Sequence, residues 1–461
     1  MKNVKRFLGL FLAVAMLLSM VGTSAFAEGA KRNIVIGLWW DMYYDSFDES
    51  VTSNPSATEG KLNDQLMFDV VKEIEEKYNV TIEYQNLTYT GVQESINTSI
   101  LAGQPDCDIY MVDLVWGVST VLNGYATDLR TVLPEDNKLF THEDTVMNFI
   151  DLGDGKATLL NPVAAENVVA NTYPLAFNLQ MLQDANLEDP RDLVAKGEWT
   201  WDKFREYCRV LTKDNDGDGA TDVYGFGGWP ADYFPLLLMS NGTYVAKGEK
   251  ENLSSAEVGE VLKFMQDMYL TDKSVYPIPE ENGWDVCRFL YRDGKVAFTP
   301  IACWIQAQNN DYDWLGDTGT QLPFDMVYVP WPVGPSGNAE TNAQKVTSGS
   351  YYILPSGVED PELVYNVFYD LHNWYHDDVS IRDSEDAMSW WYTNIAKDID
   401  LQDHNFSVMY EAGLRETVDN VNNLGFDYDF PAFLKGDYTP AQFQETYKQQ
   451  VQDAMDRLNG K

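Results

Sequence analysis

The chain runs to 461 residues and carries 72 Asp and Glu against 32 Lys and Arg, a formal net charge of −40. So acidic a surface excludes nucleic acid and anionic membranes as partners, and it argues against a strongly anionic ligand unless Arg or Lys gather at the site. Cys107, Cys208, Cys287 and Cys303 show no metal-ligand spacing and stand beside none of the four histidines, so thiol catalysis has no footing.

Residues 1–27 read as an export signal. Lys2, Lys5 and Arg6 form its basic start, 7–20 is apolar, and Ala25-Phe26-Ala27 is a small-x-small cleavage site. The apolar run is too short to span a membrane. Cleavage leaves about 434 residues with a net charge near −43, enough for two domains or one large two-lobed unit. The expected location is outside the cytoplasm, periplasmic or released, because no cysteine near the cleavage site offers a lipid anchor. Export permits disulfides, yet Cys208 and Cys287 sit on apolar helix faces and Cys107 opens a strand. Bridges and buried thiols both stay open.

The N-terminal third alternates strand and helix. Strands are expected at 34–40, 80–84 and 108–112, and a helix at 92–102 stopped by Gly103. Another helix carries Met67, Val70, Val71, Ile74 and Tyr78 on one face. That order implies an α/β fold with a parallel sheet covered on both faces. The stretch 173–298 reads as helix-rich, and strands return at 295–300 and 324–329. Asp360 caps a helix opened by Pro361, with Val364, Val367, Phe368 and Leu371 on one side. Thr439-Pro440-Ala441-Gln442 is a capping box, followed by the stripe Phe443, Tyr447, Val451, Ala454 and Leu458.

One loop carries metal chemistry. After a helix with Trp201, Phe204, Cys208 and Leu211 on one face come Asp214, Asp216 and Asp218, then Gly219 and Asp222. These match positions 1, 3, 5, 6 and 9 of an EF-hand-type loop, and Ala220 would offer its carbonyl at position 7. A hard cation such as Ca²⁺ takes about six to eight oxygens, which this spacing converges. Position 12 is Gly225 and not the bidentate Glu, and a strand or loop follows where a true EF-hand has a helix. The expected role is structural.

The chain holds 13 Trp and 27 Tyr. Several aromatic and acidic residues stand just past strand ends, where a parallel sheet presents its ligand: Trp39, Trp40 and Asp41; Asp113 and Trp116; Trp229 and Tyr233; Trp304; Tyr351; and Trp390 with Trp391. Flat rings match the apolar face of a sugar and carboxylates take its hydroxyl protons, so the set suits a neutral carbohydrate.

In order and spacing the chain resembles the extracellular solute-binding proteins of carbohydrate ABC importers, the family that includes maltose-binding protein. The resemblance rests on Ala102-Gly103-Gln104-Pro105-Asp106 before a strand ending in Asp113, on Tyr173-Pro174-Leu175-Ala176-Phe177-Asn178, and on the helix and acidic loop leading to Tyr224-Gly225-Phe226. It continues through Gly294-Lys295-Val296-Ala297-Phe298 running to Trp304, through Pro330-Trp331-Pro332-Val333-Gly334-Pro335, and through 348–354 before Asp360-Pro361-Glu362. It implies a type II periplasmic-binding-protein fold, two α/β lobes joined by a hinge with the ligand between them. The N-terminal lobe would take 28–168 and 299–348, and the C-terminal lobe 169–298 and 349–461. Trp304 looks like a family sugar-stacking residue, with Trp40, Asp113, Trp116, Trp229 and Tyr351 around the cleft. The implied function is capture of an oligosaccharide for an ABC permease by a monomer with no enzymatic activity. Two other readings stay open: the same fold binding a polyamine or peptide or acting as a sensor, and a secreted glycoside hydrolase, which would need a carboxylate pair on a sugar site.

Overall fold

The structure is a computed structural model that describes residues 31–39, 62–141, 143–150, 152, 155–163, 172–277, 283, 286–301, 322–340, 342, 350–384, 399–413 and 426–458. Two sheets organise these residues. In the first sheet β1 (Arg32–Leu38) pairs in parallel with β2 (Val80–Asn86) and with β3 (Ile109–Val112), the three strands expected from the sequence. Beyond β3 the sheet turns antiparallel. It adds a late strand, Tyr351–Ile353, then Leu159–Pro162 and finally Met147–Ile150. With β4 as Met147–Ile150 and β5 as Leu159–Pro162, the second sheet is built around β6 (Leu175–Asn178). Its partners are β7 (Tyr224–Phe226), β10 (Val296–Pro300) and β11 (Met326–Val329), in the order β11-β6-β10-β7. The short pair β8 (Ala246–Lys247) and β9 (Lys250–Glu251) lies apart, and β12 is the late strand Tyr351–Ile353.

The pleat explains how the first sheet is covered. Successive side chains on a strand face opposite ways. Ile109 and Met111 of β3 therefore join Tyr352 in one core, with Val70 and Ile74 from the helix Leu62–Tyr78 and Val364, Val367 and Phe368 from the helix Pro361–His372. Tyr110 and Val112 face the other way and pack with Tyr351 and Ile353, Val92 and Ile96, and Leu114 and Val118. Both faces are buried, as the near-continuous apolar strands require. The helix expected at 92–102 begins earlier, at Tyr89, and continues from Ser95 as a π-helical turn, Ile96–Ile100.

The second core is aromatic. Phe177 of β6 and Phe298 of β10 lie 5.9 Å apart, and Phe204 meets Phe298 edge-on at 5.3 Å. Trp331 is buried and donates its indole N–H to the Tyr173 carbonyl at 2.8 Å, which satisfies a polar atom that burial would otherwise strand. At the C-terminal end the capping box forms in both directions. The Gln442 amide donates to Thr439 Oγ1 at 3.2 Å and the Thr439 amide to Gln442 Oε1 at 2.9 Å. The stripe Phe443, Tyr447, Val451 and Ala454 packs into the second core.

The expected lobe boundaries need correction. Met326–Val329 pairs with β6 and belongs to the second sheet, although 299–348 was assigned to the N-terminal lobe. Tyr351–Ile353 pairs with β3, and the helix Pro361–His372 packs on the same sheet, although 349–461 was assigned to the C-terminal lobe. Local pattern marks these segments as strand and helix but says nothing of their partners, which lie more than a hundred residues away. The chain thus passes to the second sheet after β5, returns at β12 and leaves again after the helix Pro361–His372. The described cysteines, Cys107, Cys208 and Cys287, are buried free thiols, and Cys303 lies outside the described residues.

If β12 seals the gap between β3 and β5, truncating its fully buried Ile353 should be expensive. Ile353→Ala is expected to cost about 2–5 kcal/mol by urea denaturation. A loss near zero would show that the strand is dispensable.

Candidate functional site

The carboxyl ends of β1, β2 and β3 lie side by side and carry the site. β1 hands over directly to Trp39. The Leu87 amide donates to the Leu38 carbonyl at 2.8 Å, which ties the end of β2 to the end of β1. Thr88 then takes a left-handed conformation, φ 66°, costly for a β-branched residue, and its hydroxyl caps the next helix by accepting from Gly91 N at 3.3 Å. This turn sets Tyr89 beside Trp39. β3 runs into Asp113, and the helix Leu114–Leu122 places Trp116 one turn later.

The three rings meet edge-on. Trp39 lies 5.5 Å from Tyr89 and 6.3 Å from Trp116, and Tyr89 lies 6.1 Å from Trp116. Tyr89 is 40% exposed and the two tryptophans are half-buried. A cluster of large rings open to solvent is unusual for a surface that only needs solubility. The Trp116 indole N–H is buried and has no acceptor in good hydrogen-bond geometry among the described residues. It lies close enough to the Tyr89 hydroxyl to favour that group's ionised form.

The second lobe answers with acid. β7 ends at Phe226, and Trp229 and Pro230 open the helix Pro230–Ser240 with Asp232 in its first turn. Asp232 is half-buried. Burial, and then the charge of Asp113 from the other lobe, push its pKa up to about 7. Tyr89 is pushed up to about 12 by burial and then by Asp113, with a smaller contribution from Asp427 of the second lobe. Two lobes therefore meet across carboxylates, with aromatic rings on one wall.

The sequence expectations fare unevenly. Asp113 and Trp116 stand at the candidate strand-end cluster, and Trp229 is half-buried at the start of the helix Pro230–Ser240. Tyr233 is corrected: it is 2% exposed and packs on Phe226 at 5.2 Å, inside the second core. Tyr351 is 8% exposed and sits under the site in the first sheet, opposite Val112, as part of its floor. Trp40, Asp41, Trp304 and Trp390 lie outside the described residues. Tyr89 and Asp232 were missed. Tyr89 follows a strand end as Trp39 does, and Asp232 follows Trp229-Pro230, so the rule that placed the others reaches both.

The acidic loop folds back on itself. The Lys213 amide donates to the Val223 carbonyl at 2.9 Å, closing its base. Gly217 and Gly219 take left-handed conformations, φ 77° and 91°, that let the chain curl inward. Asp214 accepts from Gly217 N at 2.7 Å and Gly219 N at 2.9 Å, and these backbone bonds hold its carboxyl below the usual range. Ligand oxygens of Asp214, Asp216 and Asp218 lie within 4.8 Å of one another, the convergence a hard cation needs. The Asp222 carboxylate instead accepts from Asn215 N at 2.7 Å. The residue at position 12 has a physical explanation: a Cβ at Gly225 would overlap the Cys208 carbonyl oxygen of the helix Trp201–Leu211. Close packing there forbids the glutamate.

A groove of about 640 Å³ lies elsewhere, between the helices Leu62–Tyr78 and Pro361–His372. Its wall carries the Lys77–Asp370 ion pair at 2.7 Å, and it lacks the rings of the strand-end site.

A family model described as bacterial extracellular solute-binding protein matches residues 57–368. No curated protein matches the chain in sequence. Among solved structures, the maltose/maltodextrin-binding domain from Bdellovibrio bacteriovorus bound to maltotriose is 16% identical, covers 92% of this chain and 98% of its own, and superposes with a TM-score of 0.55. An ABC substrate-binding protein from Listeria monocytogenes in complex with cycloalternan is 16% identical, with 93% and 99% covered and a TM-score of 0.57. The cyclic alpha-maltosyl-1,6-maltose binding protein from Arthrobacter globiformis is 14% identical, with 94% and 100% covered and a TM-score of 0.57. The likeness shows the fold, the type II periplasmic-binding-protein arrangement of two α/β lobes.

The Asp232 carboxyl carries a pH signature. Its pKa is near 3.8 when unfolded and about 7 when folded, so between these values the native state holds a proton that the unfolded chain has released. Its contribution to stability is therefore full below about pH 4 and is lost as pH rises through 7. Asp232→Asn should gain stability relative to the parent across that interval in urea titrations. Parallel pH profiles would refute the assignment.

Proposed function

Because the chain belongs to the bacterial extracellular solute-binding protein family, we propose that it captures an oligosaccharide between its two lobes and delivers it to an ABC importer. The carrying observation is the trio of rings Trp39, Tyr89 and Trp116, partly open to solvent, with Asp113 near enough to bear on both Tyr89 and Asp232 of the second lobe. Rings of this kind suit the C–H faces of pyranoses, and the carboxylates suit their hydroxyls. The similar structures with maltotriose and cycloalternan support a sugar over a peptide. Capture proceeds by closure: the lobes hinge, the rings and carboxylates lose water together, and the ligand bridges them. No step requires a bond to break, so the reading is a binding protein and not an enzyme. The family places the protein outside the cytoplasm, and no described helix is long and apolar enough to cross a membrane. Either a periplasmic or a released form agrees with this reading.

The acidic loop supports a structural Ca²⁺ held by Asp214, Asp216 and Asp218, with Asp222 and the Ala220 carbonyl completing the set. The cation would offset mutual repulsion among exposed carboxylates and lock the connection from the helix Trp201–Leu211 to β7.

Two measurements test these readings. Calorimetry against maltotriose and cellotriose should show binding to the parent, and Trp116→Ala should weaken it at least about tenfold with the melting temperature kept. Unchanged affinity would remove Trp116 from the ligand surface. For the loop, adding Ca²⁺ at about 100 times its dissociation constant to chelated protein should stabilise it by roughly 2.7 kcal/mol, and Asp214→Asn with Asp216→Asn should abolish the gain. No shift on adding Ca²⁺ would refute the metal.

A further inference from the structure

We propose that Tyr89 is a cover that the ligand displaces, and that beneath it lies a specificity-determining donor: the indole N–H of Trp116, which gives a hydrogen bond to an oxygen of the bound sugar. This rests on the oligosaccharide reading and names one polar contact that the ring wall supplies.

The indole N–H is the first observation. Trp116 is half-buried as a residue, yet its indole nitrogen is sealed from solvent and has no acceptor in good geometry among the described residues. The buried tryptophans of the second core do better. Trp199 donates to the Pro330 carbonyl at 2.9 Å, Trp201 to Ser240 Oγ at 3.1 Å and Trp331 to the Tyr173 carbonyl at 2.8 Å. A donor that has lost its water and gained no partner is costly, and native folds keep few of them.

The second observation is the ring that lies against it. Tyr89 meets Trp116 edge-on, at 6.1 Å and 76°, and its hydroxyl comes near the indole N–H without bonding it in good geometry. Tyr89 is 40% exposed, and no hydrogen bond of good geometry holds its hydroxyl among the described residues. Ring contacts keep it in place, and a ligand ring can replace those.

The third observation is the backbone that carries Tyr89. Thr88 has φ 66° and ψ 161°, a region that glycine enters freely and a β-branched residue only under strain. Three bonds hold it there. The Thr88 amide donates to Asn86 Oδ1 at 3.0 Å, Gly91 N to Thr88 Oγ1 at 3.3 Å and Val92 N to the Thr88 carbonyl at 3.1 Å. The helix that follows has seven residues and passes directly into the π-helical turn Ile96–Ile100. A strained residue ahead of so short a helix has a relaxed alternative close in energy, and rotation about Thr88 carries Tyr89 off Trp116.

A sugar supplies what the covered N–H lacks. Its hydroxyls donate to carboxylates, while its hydroxyl, ring and glycosidic oxygens accept. Once Tyr89 moves aside, one of those oxygens takes the indole proton, so the donor is satisfied only in the complex. That is the differential contact by which a ligand shifts a population.

The test uses the mature chain, isotope-labelled at its tryptophan indole nitrogens and titrated with maltotriose and cellotriose. The Trp116 signal is the one missing from Trp116→Phe. Its proton should move downfield on saturation, as a new hydrogen bond requires. Calorimetry should find Trp116→Phe at least about tenfold weaker than the parent, although a ring is kept. Tyr89→Ala removes the cover and should bind at least about threefold tighter, a gain that should vanish in the Trp116→Phe background. If Trp116→Phe fails to fold, Tyr89→Ala still answers by the sign of its effect. Four results would overturn the inference and leave the oligosaccharide reading standing: binding that does not move the Trp116 signal, Trp116→Phe binding like the parent, Tyr89→Ala binding no tighter, or its gain surviving in the Trp116→Phe background. Binding of neither trisaccharide would sink that reading, and the inference with it.

Discussion

The structure depends on the antiparallel insertion of β12 between β3 and β5. Without it the first sheet is two separate pieces, and the carboxyl end of β3, which presents Asp113 and Trp116, has an open edge on one side. The same three residues bury side chains on both faces of the sheet, Tyr352 toward one helical layer and Tyr351 with Ile353 toward the other. Tyr351 thereby becomes the floor on which the ligand wall stands. The insertion also forces the chain to travel between the sheets more than once. Those passages bring Asp232 into the field of Asp113 although 119 residues separate them in sequence.

What faces what across the cleft sets the terms of closing. One wall supplies apolar rings and a carboxylate, the other more carboxylate. Empty, the two walls repel, and the half-buried Asp232 relieves the repulsion by holding its proton near neutral pH. Anything that closes the lobes has to satisfy these oxygens, by donating hydrogen bonds or by supplying charge. The family relation leaves the ligand's identity to this local chemistry, because at 14–16% identity the similar structures share an architecture and not a set of contacts.

Much of this was legible in the sequence wherever the signal is local. The three parallel strands follow from apolar runs, the capping box from Thr439 and Gln442, and the inward-curled acidic loop from its alternate aspartates and glycines. The rule that ligands sit beyond strand ends points to Asp113 and Trp116, which the fold sets at the end of β3. Pairing was illegible. Nothing in Tyr351–Ile353 says that it lies beside β3, and so the lobe boundaries in the last third were misplaced. Burial misled at Tyr233, where a tyrosine near a glycine-proline loop reads as a ligand residue but packs on Phe226. Asp232 was overlooked because one aspartate among 72 acidic residues carries no local mark, and its raised pKa arises only when a distant carboxylate is folded against it. The glycine at the end of the acidic loop stands in the sequence where an EF-hand-type loop has a ligand. It is better read as a packing requirement, since the strand leaving the loop lies against the Cys208 backbone.

The buried thiols have a consequence for an exported protein. Burial pushes Cys107 and Cys287 up to about 12 and raises Cys208 well above the usual thiol range, so in the folded protein none of the three carries an appreciable thiolate. Oxidants and disulfide exchange act through the thiolate, and these sulfurs are both protonated and walled off. Protection comes from packing and not from pairing, and it begins only once each core has formed. The vulnerable interval is the time the exported chain spends unfolded. For these three sites maturation is a race between core formation and oxidation, one that a disulfide-forming catalyst would hinder and rapid folding wins.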